Sequence, residues 1–517
     1  MISPVDSSMK MKRITAATIF LFFCGNLQSE PRFASVFGDG AVLQSGQSTE
    51  VWGFGADPGS SYTLQFGGNS AEATVLENGQ WKATFSDLPR SADPQNLTLF
   101  ESGKSVASIR DIVVGEVWLA AGQSNMQMTV KAMQKDMPPA SEWVDSASLP
   151  QVRFRRVNDP VLPDSKTEAD DLTTSGPWIK MSPESVTEFS ATAAAFARQV
   201  AEQLQCPVGI IDVSWGGKPI EPFIPREAFE TPFLSRIKSL ADENKLDDLK
   251  HLRGGVIIRN PEGYPGSIFT ARIAPITRYG LAGFLWYQAE SNAGKGEDPR
   301  GYRHKMAALA TGLRTRWDND SLPLIFVQLP SFPEATGWIR VREEQRLSLE
   351  IPHTSMAVTL DIRGEGIHPP DKLEVGRRLA LCALKNTCNI KDNVASGPCY
   401  VSHKVNGSEI IVQFSETHGE LASGNRPLFS DVEFSHSDEV KWFEVAGADG
   451  EWHEATARIE GDTVVVTSDQ EPSPVAVRYA CHTTPQGSNL YNRAGLPASS
   501  FCSDLKLLEW DDPGKKE

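Results

Sequence analysis

The sequence is short of the residues and patterns that mark several large functional classes. It has only nine His and seven Cys, with no Cys-x-x-Cys and no His-Glu-x-x-His spacing, so neither a structural zinc site nor a zincin-type metal centre is expected. Positive charge is in deficit: 50 Lys and Arg stand against 66 Asp and Glu, a formal net charge of −16. Binding to nucleic acid or to an anionic membrane surface needs clustered cations, and this balance argues against both. No apolar run is long enough to span a bilayer as an anchor in the mature chain. The composition is otherwise ordinary for a folded protein, with 22% charged and 40% hydrophobic residues. At about 150 residues per domain, the 517 residues suggest about three domains.

The first 29 residues read as a cleaved export signal. Met9 to Arg13 is basic, Ile14 to Cys24 is uncharged and mostly apolar, and a polar stretch follows. Export places the mature chain in a secreted or periplasmic compartment. There the six remaining Cys are an even set that fits disulfides, with Cys382–Cys388 and Cys481–Cys502 as candidate pairs among the 15 connectivities.

Three regions follow. Residues 30–112 carry short alternating runs separated by Asp57-Pro58-Gly59 and Asn78-Gly79, which predicts a small β module. Residues 113–390 alternate strand-like runs with helical patterns, including a helix over Ala191–Leu204 and another over Lys372–Leu384. This is the signature of a mostly parallel sheet with helices on both faces. Residues 391–510 turn β-rich again, with hairpin-type turns at Asn406-Gly407 and Asp449-Gly450.

Ligands of open α/β sheets gather at the carboxyl ends of strands, so the segments that leave the middle strands matter most. Val117–Ala121 leads into Gly122-Gln123-Ser124-Asn125-Met126, which puts Ser124 at a helix start, a place for either an N-cap or a nucleophile. Position 126 is Met, so this is not the Gly-x-Ser-x-Gly elbow of α/β-hydrolases. Ile210–Val213 leads into Ser214-Trp215-Gly216-Gly217-Lys218, whose adjacent glycines are candidate oxyanion donors. Phe284–Leu285 leads into Trp286-Tyr287-Gln288-Ala289-Glu290-Ser291-Asn292, where Gln288 could complete an oxyanion hole. Met356–Leu360 leads into Asp361 and then His368-Pro369-Pro370. His368 is a candidate general base, with Glu365 or Asp361 as the acid that holds its tautomer.

Taken together, GQSNM, SWGGKPIEPF, WYQAESN and IHPPDKLEVGRRLA resemble the blocks of the sialate O-acetylesterase family within the SGNH hydrolase superfamily. Val42-Leu43-Gln44, Val51-Trp52-Gly53 and Asn489 to Pro497 extend the resemblance over nearly the whole mature chain. It implies an SGNH-type, flavodoxin-like, three-layer α/β fold flanked by N- and C-terminal β-sandwich-like modules. It also implies a serine esterase that removes O-acetyl groups from carbohydrate, sialic acid first among them, without metal or organic cofactor. By position, Ser124 would be the nucleophile and His368 the base. Ser124 N–H, Gly216 or Gly217, and Gln288 would form the oxyanion hole, and Asn125, Glu290 and Asn292 would contact substrate. Three departures stand out: Lys218 where the family usually has Thr, Ala289 where it usually has Gly, and Glu365 where the superfamily commonly has Asp. The competing readings are an acetyl xylan or other polysaccharide esterase and a non-catalytic glycan-binding protein.

Overall fold

The structure is a computed structural model that describes residues 30–508, except 162–166, 175, 231–233, 236–263, 295–297, 334–336, 363, 365, 389 and 391. The proposed export signal and Glu365 lie outside the described residues.

Six strands form the parallel centre: β1 (Lys104–Gly122), β2 (Leu149–Arg156), β3 (Val208–Asp212), β4 (Gly283–Tyr287), β5 (Leu324–Val327) and β6 (Thr354–Ala357). Their spatial order is β2-β3-β1-β4-β5-β6, every pairing among them parallel. Parallel strands covered on both faces must be apolar on both, and β3, β4 and β5 are buried throughout. Alternate residues serve two cores. Trp118, Ala120, Leu285 and Ile325 pack with Phe196 and Val200 of α2 (Ala191–Leu204) and with Val375 and Leu379 of α5 (Lys372–Asn386). Val117, Leu119, Phe284, Trp286 and Phe326 pack on the other side with Leu309 and Leu313 of α3 (Tyr302–Arg316) and with Trp338 and Val341 of α4 (Trp338–Leu347). Gly376 is a close-approach residue: a Cβ there would lie 2.5 Å from Ala195 Cβ, so it brings α5 against α2.

The boundary expected at 112/113 falls inside one strand. β1 is 19 residues long; its first part pairs antiparallel with Ser91–Glu101 and its last part pairs with β3 and β4. The N-terminal β region and the parallel centre are therefore one continuous sheet of 14 strands. After α5 the chain forms antiparallel sheets, with the expected hairpin turning at Asn406-Gly407 between Cys399–Asn406 and Glu409–Ser415.

This C-terminal region braces the segment that carries His368. Arg426 bonds Asp371, the N-cap of α5, at 2.6 Å, and the Tyr491 hydroxyl reaches Asp361 at 3.4 Å. The six described cysteines are free thiols. Neither candidate pair, Cys382–Cys388 nor Cys481–Cys502, is bridged, although Cys481 and Cys502 share one buried cluster with Leu508.

Candidate active site

All four strand-end segments open on the carboxyl edge of the sheet. β1 ends at Gly122, and the four-residue α1 (Ser124–Gln127) begins two residues later. Gly122 has φ +131°, and a Cβ there would lie 2.1 Å from Tyr287 O of β4. The missing side chain lets Gln123 N–H donate to Tyr287 O at 3.0 Å and Gly122 O accept from Trp215 N–H at 2.9 Å. Three strand ends are thus locked around Ser124. His368 arrives from the segment after β6, and its Nε2 lies 2.9 Å from Ser124 Oγ. This is hydrogen-bond reach for a base and its nucleophile. Burial, and then the Lys372 ammonium, hold the His368 imidazole below its ordinary pKa of 6.5, so the ring is neutral and able to accept a proton at pH 7.

The expected oxyanion donors divide. Ser124 N–H and Gly217 N–H have no hydrogen-bond partner among the described residues. Gly216 N–H is already spent on Gln127 Oε1 at 2.7 Å, and its Cα packs against Ser124, where a Cβ would lie 3.7 Å from the serine Cβ. Gln288 is fully buried and its amide is also spent: Nε2 donates to Gln123 Oε1 at 3.1 Å and Asn292 Oδ1 at 2.9 Å, while Oε1 accepts from Tyr302 OH at 2.9 Å. Gly216 and Gln288 therefore hold the strand ends together instead of facing a ligand. An amide at a strand end can turn inward or outward with the same sequence, and here Tyr302 and Asn292 turn it inward.

The three residues expected to touch substrate are buried as well. Asn292 accepts Ile220 N–H at 3.0 Å and donates to Glu221 at 3.2 Å, which pins the loop after β3. Asn125 donates to Glu290 and, at 3.0 Å, to Ile367 O, and its Oδ1 accepts from Lys372 Nζ. Lys372 had no place in the expected site. The signal available in the sequence was a lysine at the first residue of a helix, where the helix dipole disfavours a cation.

Asp361 makes no hydrogen bond to the base. Both of its oxygens are engaged by Arg378, at 2.6 and 2.8 Å, and among the described residues no carboxylate bonds His368. The reason is chemical: a guanidinium fork matches a carboxylate in two parallel bonds, and Arg378 is buried beside it. Ala289 carries the strain that its departure from Gly implied, with φ +151° at a fully buried position. Strain of this kind costs about 1–3 kcal/mol, against about 0.5–1 kcal/mol of glycine entropy. Ala289→Gly is therefore expected to raise the thermal midpoint with activity kept; a lower midpoint would contradict this.

Two cations, the buried Arg272 and Lys218, pack on Trp215 in the loop after β3. The Arg272 guanidinium stacks 3.9 Å from the Trp215 ring centre, and the Lys218 ammonium lies 5.4 Å from the same ring. Among the described residues no group of His, Cys, Asp and Glu could hold a metal ion, and no helix is long and apolar enough to cross a membrane.

Comparison with known proteins points in one direction. Residues 114–385 match the family described as "Carbohydrate esterase, sialic acid-specific acetylesterase". The sialate O-acetylesterase of Rattus norvegicus is 28% identical over 419 residues, covering 71% of this chain and 75% of the relative. That of Homo sapiens is 26% identical over 405 residues, covering 71% and 73%. The crystal structure of a carbohydrate acetylesterase from Xanthomonas citri superposes with a TM-score of 0.78 at 29% identity, covering 92% of this chain and 100% of that one.

Proposed function

The chain belongs to the sialic acid-specific acetylesterase family of carbohydrate esterases, and from that premise we propose that it hydrolyses O-acetyl esters on sialic acid through a Ser124 acyl-enzyme. The observation that carries the reading is the 2.9 Å approach of His368 Nε2 to Ser124 Oγ at the shared edge of three strand ends. His368 takes the Ser124 proton as the oxygen attacks the acetyl carbonyl. Ser124 N–H and Gly217 N–H are the donors for the resulting oxyanion. The imidazolium returns its proton to the departing sugar oxygen, and water, with His368 as base, then releases acetate. Glu365, three residues before His368, is the acid we assign to the imidazole, because Asp361 is committed to Arg378.

The cations around Trp215 favour an anionic sugar. A sialic acid carries a carboxylate that Lys218 would meet beside the glycine loop, with the buried Arg272 adding its charge from behind Trp215, whereas an unsubstituted xylan backbone offers no such charge. The five strands β1, β3, β4, β5 and β6 stand in the order 2-1-3-4-5 of flavodoxin-like sheets, which supports the SGNH-type layering, with β2 added at one edge. On this reading 30–112 and 113–390 are two functional regions that share strand β1, and 391–510 is the third. The N-terminal 29 residues direct the chain to a secreted or periplasmic site.

The test is acetate release from O-acetylated sialic acid and from acetylated xylan under identical conditions. Faster release from the sialic acid is expected. Faster release from xylan would overturn the assignment of substrate, and release from neither would overturn the esterase.

A further inference from the structure

Four buried polar side chains stand directly behind the Ser124–His368 pair: Asn125, Tyr287, Glu290 and Lys372. We propose that Lys372 is the positioning residue that sets nucleophile and base in register, acting through the Asn125 carboxamide. The inference rests on Ser124 and His368 being the reacting pair.

The argument begins with what an amide can donate and accept. An ammonium has donors and no acceptor, so Lys372 Nζ can meet only the oxygen of Asn125. That fixes the amide's orientation. The two protons of Asn125 Nδ2 then have two acceptors, the Glu290 carboxylate and Ile367 O at 3.0 Å. Asn125 follows the nucleophile in the chain, and Ile367 precedes the base. One side chain therefore grips both partners, and its orientation depends on the cation behind it. A rotated amide would set its oxygen against Ile367 O and the Glu290 carboxylate, which repel it.

The placement of Lys372 is costly, which argues for a role. It is fully buried at the first residue of α5, where the helix dipole disfavours a cation. Burial lowers its pKa to about 7, against the opposing pull of Glu290 and Asp371. Burial raises the Glu290 pKa, and the Asn125 hydrogen bond and Lys372 counter it. The groups facing the ammonium are Glu290 after β4, the Tyr287 ring of β4 at 5.1 Å, Asp371 on its own helix, itself held by Arg426, and His368. An apolar residue would be cheaper here if packing were the purpose.

Because Lys372 also lowers the His368 pKa, its removal has a signature that a packing defect lacks. In Lys372→Met, kcat on an aryl acetate is expected to fall by about 10²-fold, the scale of a misplacement near 1 Å, with KM little changed. The acid limb of kcat/KM is expected to move to higher pH, because the imidazole then protonates more easily. Lys372→Met/Glu290→Gln removes both buried charges with similar volumes, so it is expected to regain thermal stability while keeping the lowered kcat and the displaced limb. If kcat recovers along with stability, or if the acid limb stays in place in a folded variant, the positioning role is overturned. A wild-type protein without esterase activity would instead defeat the assignment of the reaction itself.

Discussion

Ser124→Ala is expected to abolish turnover of any acetyl ester, by on the order of 10⁴–10⁶-fold in kcat, and to leave the fold untouched. Both halves follow from what the side chain contacts. Among the described residues the Ser124 hydroxyl has one hydrogen-bond partner, His368 Nε2. Removing it strands no buried backbone group, because the capping of α1 does not use a side chain. The base and the Ser124 and Gly217 amides remain, so substrate still binds while the step that forms the acyl-enzyme is lost. The measurement is a pair: the initial rate on an aryl acetate and the thermal unfolding midpoint. Loss of rate at an unchanged midpoint is the expected result. A variant that keeps more than a few per cent of the rate would remove Ser124 from the mechanism.

The second large effect is structural in origin and catalytic in outcome. Gly122→Ala is expected to cost on the order of 3–5 kcal/mol and to reduce activity at least as severely as it reduces stability. At φ +131° a side chain is disfavoured, and the new Cβ would sit 2.1 Å from a backbone oxygen that cannot rotate away. Tyr287 and Gly122 are paired in the parallel register of β1 and β4, so relief requires the two strands to part at their carboxyl ends. The bond from Gln123 N–H to Tyr287 O would lengthen, and Ser124 would move with it. Unfolding curves and kcat/KM measured on the same preparations check this. A midpoint within a degree or two of wild type would show that the strand ends absorb the methyl group and do not lock the nucleophile.

Much of the fold was legible because parallel strands covered on both faces read as apolar runs, and each such run ended in glycines or polar residues that marked the site edge. Val208–Asp212, Gly283–Tyr287 and the helix Ala191–Leu204 follow that pattern closely. Two elements escaped for one physical reason. β2 carries Arg153 and Arg155 at positions that look solvent-facing, yet both are buried. Arg153 bonds Gly40 O and Asp111 O, and Arg155 bonds Ser35 O. α4 likewise buries Arg340, Glu343 and Glu344 through the pairs Arg340–Glu344, Arg303–Glu344 and Arg346–Glu343. Hydropathy periodicity cannot see charge that is neutralised on folding, by distant carbonyls for β2 and by Arg303 together with neighbours on the same helix for α4.

The same limit governed the site. That Ser124 and His368 should stand together came from the order of the motifs and the family resemblance. Which amides face a ligand depended on Tyr302, Gln127 and Asn292, whose contacts with Gln288, Gly216 and Ile220 arise in the folded chain. Asp361 was a reasonable acid by spacing, but Arg378, seventeen residues later, claims it. The charged residues counted at the outset as a deficit of cations turn out to be unevenly spent. Several arginines, Arg272 among them, are buried in pairs or against carbonyls, and Lys218 lies over the Trp215 ring.

The account stands or falls on Ser124 as an activated nucleophile, and covalent labelling tests this most directly. The full chain would be treated with an aryl fluorophosphonate and digested, and the modified residue located by mass spectrometry. The predicted result is a single adduct on Ser124 that disappears in His368→Ala, because the hydroxyl is reactive only beside its base. An adduct on another residue, or none on a folded wild-type protein, would contradict the account.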